Sequence, residues 1–199
     1  MPLDLGNLKL HNVKAEAVTY KGLKAVPVED SGVRNLPDGR QIAIVGGTAF
    51  QNGTIEVDLT GDTLPGMGPE FRGFTGIAFR VSGDRAGYEC FYLRPKNGRS
   101  DDQLQRNHSA QYISFPEFGW KRLREEFPAK YETYVDLVPG EWIHFKIIAA
   151  GEKARLYVNG SDQATLIVND LKHGDSRGSV ALWIGAGTIA HFANLRIGQ

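Results

Sequence analysis

Cysteine is almost absent: Cys90 stands alone in 199 residues. No intrachain disulfide can form, so the fold must stand on its apolar core. An excess of either charge is missing too, since 23 Lys plus Arg are matched by 23 Asp plus Glu. Bulk charge offers no pull toward nucleic acid or an anionic membrane, and neither is expected as a partner. No apolar run approaches the ~18 residues of a membrane helix. The start, Met1-Pro2-Leu3-Asp4-Leu5-Gly6, lacks a basic stretch followed by apolar residues. On that ground the chain reads as cytoplasmic, or as periplasmic or secreted if a leader has been removed. A phosphate-binding glycine loop with Lys and Ser/Thr is absent, as is a Gly-x-Ser-x-Gly nucleophile elbow.

What is present is a period of two. Ile55-Glu56-Val57-Asp58-Leu59-Thr60 alternates apolar and polar, the mark of a half-buried strand. Ile143, Phe145 and Ile147 alternate with Trp142, His144 and Lys146. Ala154, Leu156 and Val158 alternate with Arg155 and Tyr157. Val180, Leu182 and Ile184 alternate with Ala181 and Trp183. Further strands are expected at 12–20, 23–29, 41–45, 73–82, 87–94, 165–168 and 189–197. The apolar parity slips by one between Phe192 and Leu195, which predicts a bulge. Turn signals such as Asn52-Gly53, Ser82-Gly83-Asp84, Asn159-Gly160 and Gly185-Ala186-Gly187 separate the strands. Many short strands predict an all-β fold of two antiparallel sheets, a jelly-roll sandwich of the concanavalin A-like kind. A single domain over 1–199 is expected, with a loop at 61–72. A long loop insertion at about 96–129 carries a short helix at 121–127.

Candidate chemistry clusters around the turn at 83–86. One register sets Arg80 opposite Glu89 on one face, either a charged pair lining a sugar site or an exposed cross-strand ion pair. Tyr92, Arg94 and Asn97 follow; forked donors suit hydroxyls and ring faces suit sugar C–H patches. In the insertion, His108 is a general base, a metal ligand with Asp101 and Asp102, or a plain loop histidine. Gln111 lies close by. Trp120 is the favoured stacking platform, with Trp142 and Trp183 assigned to packing. A glycosidase pair is not evident: retaining glucanases of this fold carry Glu-x-Asp-x-x-Glu on one strand. Here Glu56-Val57-Asp58-Leu59-Thr60-Gly61 ends in glycine.

Several segments together carry a family resemblance. They are Gly73-Phe74-Thr75-Gly76-Ile77-Ala78-Phe79-Arg80, Tyr88-Glu89-Cys90-Phe91-Tyr92-Leu93-Arg94-Pro95, Gln111-Tyr112, Gly140-Glu141-Trp142, Ala154 to Asn159, Val168 to Gly174, and Gly178 to Trp183. Over about 50–197 the chain resembles the 3-keto-disaccharide hydrolase family. The resemblance implies a concave face that binds a carbohydrate and cleavage of glycosides oxidised at C3. A C3 ketone acidifies the C2 proton, a base removes it, and the C1 leaving group departs before water adds. By position Glu89 or His108 would be the base and Arg80 or Arg94 the oxyanion stabiliser. Tyr92, Asn97, Gln111 and Trp120 would hold the substrate. A divalent metal could replace the arginine, and a structural calcium fits the fold by analogy. The same sandwich also serves as a lectin, a laminin-G-like module or a protein-interaction domain, so turnover and oligomeric state stay open.

Overall fold

The structure, a computed structural model, describes residues 3–32 and 40–198; Met1, Pro2, 33–39 and Gln199 of the expected 1–199 domain lie outside the described residues. The described residues form sixteen strands. In chain order they are β1 (Leu8–His11), β2 (Val13–Ala15), β3 (Val18–Tyr20), β4 (Leu23–Asp30), β5 (Ile42–Phe50), β6 (Gly53–Leu59), β7 (Asp62–Thr63) and β8 (Thr75–Val81). Then follow β9 (Tyr88–Leu93), β10 (Ala110–Phe115), β11 (Glu132–Thr133), β12 (Ile143–Ala150), β13 (Lys153–Val158), β14 (Leu166–Val168), β15 (Gly178–Ile184) and β16 (Thr188–Gly198). Two short helices are α1 (Gln103–Arg106) and α2 (Trp120–Glu126).

These strands build an antiparallel two-sheet sandwich of jelly-roll type. One sheet runs β1-β5-β15-β8-β9-β10-β11, the other β14-β13-β12-β6-β16-β4-β2. Residues paired across an antiparallel ladder share a face. Ile77 pairs Phe91 and Leu182, and all three are sealed into the core. In the facing sheet Ile55, Val57 and Leu59 meet Ile147, Phe145 and Ile143, as their alternation requires. The expected bulge is present: the β16–β6 register shifts between Ala193 and Arg196, with Asn194 at φ 53°.

The segment 96–129 differs from the expected loop insertion. Its middle is β10, a strand paired to both β9 and β11. All six residues of β10 are buried, so both faces of the strand are covered. Gln111 and Ser114 therefore interrupt the apolar pattern on opposite faces, and the alternation is lost. Helix α2 matches the expected helix to within a residue. It buries Leu123 and carries an Arg122–Glu126 pair one turn apart at 2.7 Å. No helix among the described residues is long and apolar enough to cross a membrane.

Candidate functional site

One row of paired residues crosses the outer face of the seven-stranded sheet. It runs Glu132, Gln111, Tyr92, Gly76, Trp183, Ile42, His11, from β11 to β1. Gly76 is the centre of the row. A Cβ there would lie 2.2 Å from the Phe91 carbonyl oxygen and 2.7 Å from Tyr92 Cβ. With no side chain on β8, Tyr92 and Trp183 lean together from the flanking strands until their ring centroids are 4.7 Å apart. The rows beyond continue the trough with Ala78 and Ala181.

The two rings floor a cavity of about 170 Å³, lined also by Glu70, Phe71, Phe74, Ile113, Trp120, Gly185 and Ala186. Phe71 and Phe74 come from the loop before β8, Trp120 from the start of α2. The volume is below the roughly 300–1,000 Å³ of common ligand pockets and suits a single ring. A larger depression of about 710 Å³ near the N-terminus has no aromatic lining; Asp4, its carboxylate, caps the turn at Leu5–Asn7.

Arg94 stands behind the floor and is 5% exposed. Its Nη2 donates to the Tyr92 hydroxyl at 2.7 Å and to Gln111 Oε1 at 2.6 Å, and Nη1 donates to the His108 carbonyl at 2.7 Å. The guanidinium also lies 4.9 Å from the Tyr92 ring centroid. These contacts fix the phenol of Tyr92 in place. Asn97 is buried and anchors the same loop, its Nδ2 donating to the His108 carbonyl at 3.3 Å. Arg94, Gln111, Asn97 and Tyr92 therefore form one assembly, and Trp120 lines the same cavity as Tyr92.

His108 lies in a neighbouring depression with Arg124, Glu132 and Tyr134. Its Nε2 is 3.3 Å from Glu132 Oε1, and Glu132 is gripped by Arg124 at 2.7 Å. Burial lowers the His108 pKa; Glu132 opposes that, and Arg124 and Arg94 add to it. The ring is neutral near pH 7.

Glu89 and Arg80 are not in the cleft. Glu89 pairs with Phe79 rather than Arg80, one residue off the expected register. That single step turns its side chain to the interior, fully buried, on the face opposite Tyr92. There Glu89 Oε2 accepts from the Tyr112 hydroxyl at 2.6 Å and Oε1 from the His173 N–H at 2.7 Å. The β8–β15 register is irregular across Ser179 and Ala181, and Arg80 takes a φ of 54°. This bulge sends the Arg80 guanidinium, with its side chain sealed from solvent, into the end of the sandwich. It donates to the carbonyls of Gln51 at 2.7 Å, Gly151 at 2.8 Å and Gly174 at 2.5 Å.

A divalent metal does not fit these donors. Among the described residues no group of three or more His, Cys, Asp or Glu converges. Asp101 and Asp102 are exposed, and Asp102 caps α1 through Leu104 and Gln105 N–H.

The sequence matches, over residues 12–198, the family described as the 3-keto-alpha-glucoside-1,2-lyase-like domain. The chain belongs to that family. No curated protein matches this family member in sequence. Solved structures share its fold. A carbohydrate binding module, CBM66 from Bacillus subtilis, is similar at TM-score 0.61 and 15% identity, covering 96% of this chain and 98% of that one. A protein of unknown function with a galectin-like fold, also from Bacillus subtilis, is similar at TM-score 0.61 and 10% identity, covering 98% and 90%. A structure named a putative glycosyl hydrolase, from Parabacteroides distasonis, reaches TM-score 0.55 at 14% identity, covering 98% of this chain and 88% of that one.

In this lyase-like domain sequence reasoning assigned Trp183 to packing and gave no role to Phe74 or Glu70 of the cavity lining, nor to Tyr88, which bonds the Trp183 indole. Trp183 carried a usable signal, because its parity opposes the core positions Leu182 and Ile184. Glu70 lies in a proline- and glycine-rich loop without periodicity and carried none.

Proposed function

We propose that the protein binds a sugar ring over Tyr92 and Trp183 and cleaves 3-keto-glycosides there by elimination, with Glu70 as the base. The observation that carries this reading is the close pair of rings in a cavity that a carboxylate also lines. Aromatic faces cover the apolar C–H patches of a pyranose, and Trp120 supplies a second wall. Glu70 takes the C2 proton. The electron pair forms the C1–C2 double bond as the C1–O bond breaks, and the aglycone leaves with its electrons and takes up a proton. Water then adds across the enone to complete hydrolysis.

Charge develops on the C3 oxygen during proton removal. Arg94, whose Nη2 donates to the Tyr92 hydroxyl at 2.7 Å, brings positive charge to the cavity floor, which favours that developing anion. A conventional glycosidase needs two carboxylates flanking the bond. Glu70 is the one carboxylate among the described lining residues, which favours the one-base elimination.

The test is turnover of methyl 3-keto-glucoside by the intact protein and by Glu70→Gln. Loss of general base catalysis should lower turnover by about 10²–10⁴-fold while binding persists. Undiminished turnover in Glu70→Gln would remove Glu70 from the mechanism. A second reading, a non-catalytic carbohydrate-binding module, is favoured by the exposure of Glu70 and by its making no ion pair among the described residues. Saturable binding without turnover in the intact protein would select it.

A further inference from the structure

The row that crosses the sheet does not end at Trp183. Ile42, its neighbour on β5, and His11 on β1 line a second depression of about 430 Å³. Leu10, Asn12, Arg40, Arg85, Tyr88 and Phe115 complete its lining. Tyr88 and Phe115 are buried and stack with centroids 5.0 Å apart and planes 9° from parallel. The Arg40 guanidinium sits over the Phe115 ring at 5.4 Å, and the Arg40 carbonyl is held by Asn12 Nδ2 at 3.0 Å. Arg85 Nη1 lies 2.5 Å from His11 Nδ1.

Two guanidiniums and an imidazole thus face one hollow. No carboxylate lines it among the described residues. Asp84, beside Arg85 in sequence, is turned into its own loop and accepts from Ser82 Oγ at 2.6 Å and Ala86 N–H at 3.0 Å. For Arg85 to donate at 2.5 Å, His11 must present a lone pair and stay neutral. Its pKa is indeed lowered, by burial first and then by Arg85 and Lys9. An arginine whose hydrogen-bond partner is a neutral ring keeps its full charge for an anion.

We infer that this second depression is an anion subsite that takes a carboxylate, phosphate or sulfate group carried by the ligand. The inference rests on the sugar reading of the adjacent cleft only for the word ligand. The two hollows share a wall, because the Trp183 indole N–H donates to the Tyr88 hydroxyl at 3.1 Å. A sugar ring over Tyr92 and Trp183 would carry its charged substituent, or a charged neighbouring residue, across that wall. The substrate class becomes an anionic 3-keto-glycoside.

The experiment uses the whole chain. Binding is measured by calorimetry for methyl 3-keto-glucoside, its 6-phosphate, its 6-sulfate and the matching uronate, with inorganic phosphate alone as a further arm. The His11 imidazole is followed by NMR in each arm. At least one charged probe should bind about tenfold more tightly than the neutral sugar and shift His11. Arg40→Gln and Arg85→Gln, both at exposed positions, should each remove most of that gain and leave neutral-sugar affinity unchanged. The tightest arm names the group. Charged probes that bind no better than the neutral one and leave His11 unmoved overturn the inference. If the neutral sugar fails to bind but phosphate or a charged probe still shifts His11 in an Arg85-dependent way, the subsite stands and the cleft reading falls.

Discussion

The indole N–H of Trp183 donates to the hydroxyl of Tyr88 at 3.1 Å, from a side chain 4% exposed to one 1% exposed. The bond crosses over β8 and holds the Trp183 ring against Tyr92. In Tyr88→Phe the indole donor is left buried without that acceptor. Stability should fall by about 1–3 kcal/mol, read as a lower urea midpoint at unchanged m-value. Wild-type stability would show that the bond does not orient the indole.

Glu89 and Glu70 separate structure from chemistry. Removing Glu89 strands the Tyr112 hydroxyl and the His173 N–H inside the protein. Burial, and then the neighbouring Glu89 charge, push the Tyr112 pKa up, so the phenol stays a donor. Glu89→Ala should cost roughly 2–6 kcal/mol, two lost acceptors at 1–3 each. Hydrogen exchange should quicken at Leu171–Gly174, while sugar binding per folded molecule is kept. The same exchange rates in the variant and the parent would contradict this assignment.

Gly76→Ala tests the floor of the cleft directly. Its new methyl has no room against Phe91 O and Tyr92 Cα, at 2.2 and 2.6 Å. Backbone must shift, and Tyr92 must move away from Trp183. We expect a loss of about 1–3 kcal/mol from overpacking and a more than tenfold loss of sugar affinity. Sugar affinity equal to that of the parent would mean that the Tyr92–Trp183 approach is not the binding element.

Acid sensitivity should trace in part to His191. Its ring stacks on Tyr20 at 3.7 Å, and Nδ1 is 3.1 Å from Thr60 Oγ1. Burial lowers its pKa below the usual 6.5. Between the two values the unfolded chain binds more protons than the folded one. The stabilisation is complete above pH 6.5 and is lost as pH falls through 6.5 toward the folded value. The urea midpoint of the parent should therefore drop from pH 7 to pH 5 more steeply than that of His191→Gln. Parallel pH profiles would remove His191 from the account.

The fold could be read from alternation because most strands are half-buried. Ile55-Val57-Leu59 and Ile143-Phe145-Ile147 show one apolar face each, and they pair as their parity demands. Strand β10 escaped that reading because both of its faces are covered. The placement of the expected site residues was legible in part. Tyr92, Arg94, Asn97, Gln111 and Trp120 do gather at one end of the sheet, because they flank the β9–β10 pair. Glu89 and Arg80 were misplaced by a register slip and a bulge, neither of which leaves a mark in residue type. Trp183 was visible in its parity but not in its meaning, which depends on Gly76 on the strand between it and Tyr92.

Arg80 also settles how the far end of the sandwich is held shut. One guanidinium draws in main-chain oxygens from three separate turns, the task a covalent bridge performs in many small β domains. Cys90 is buried, and burial pushes its thiol pKa well up, so it stays an inert thiol. Closure by hydrogen bonds alone means that neither oxidant nor reductant has a bond to make or break, and the molecule should keep one stability on either side of a redox boundary.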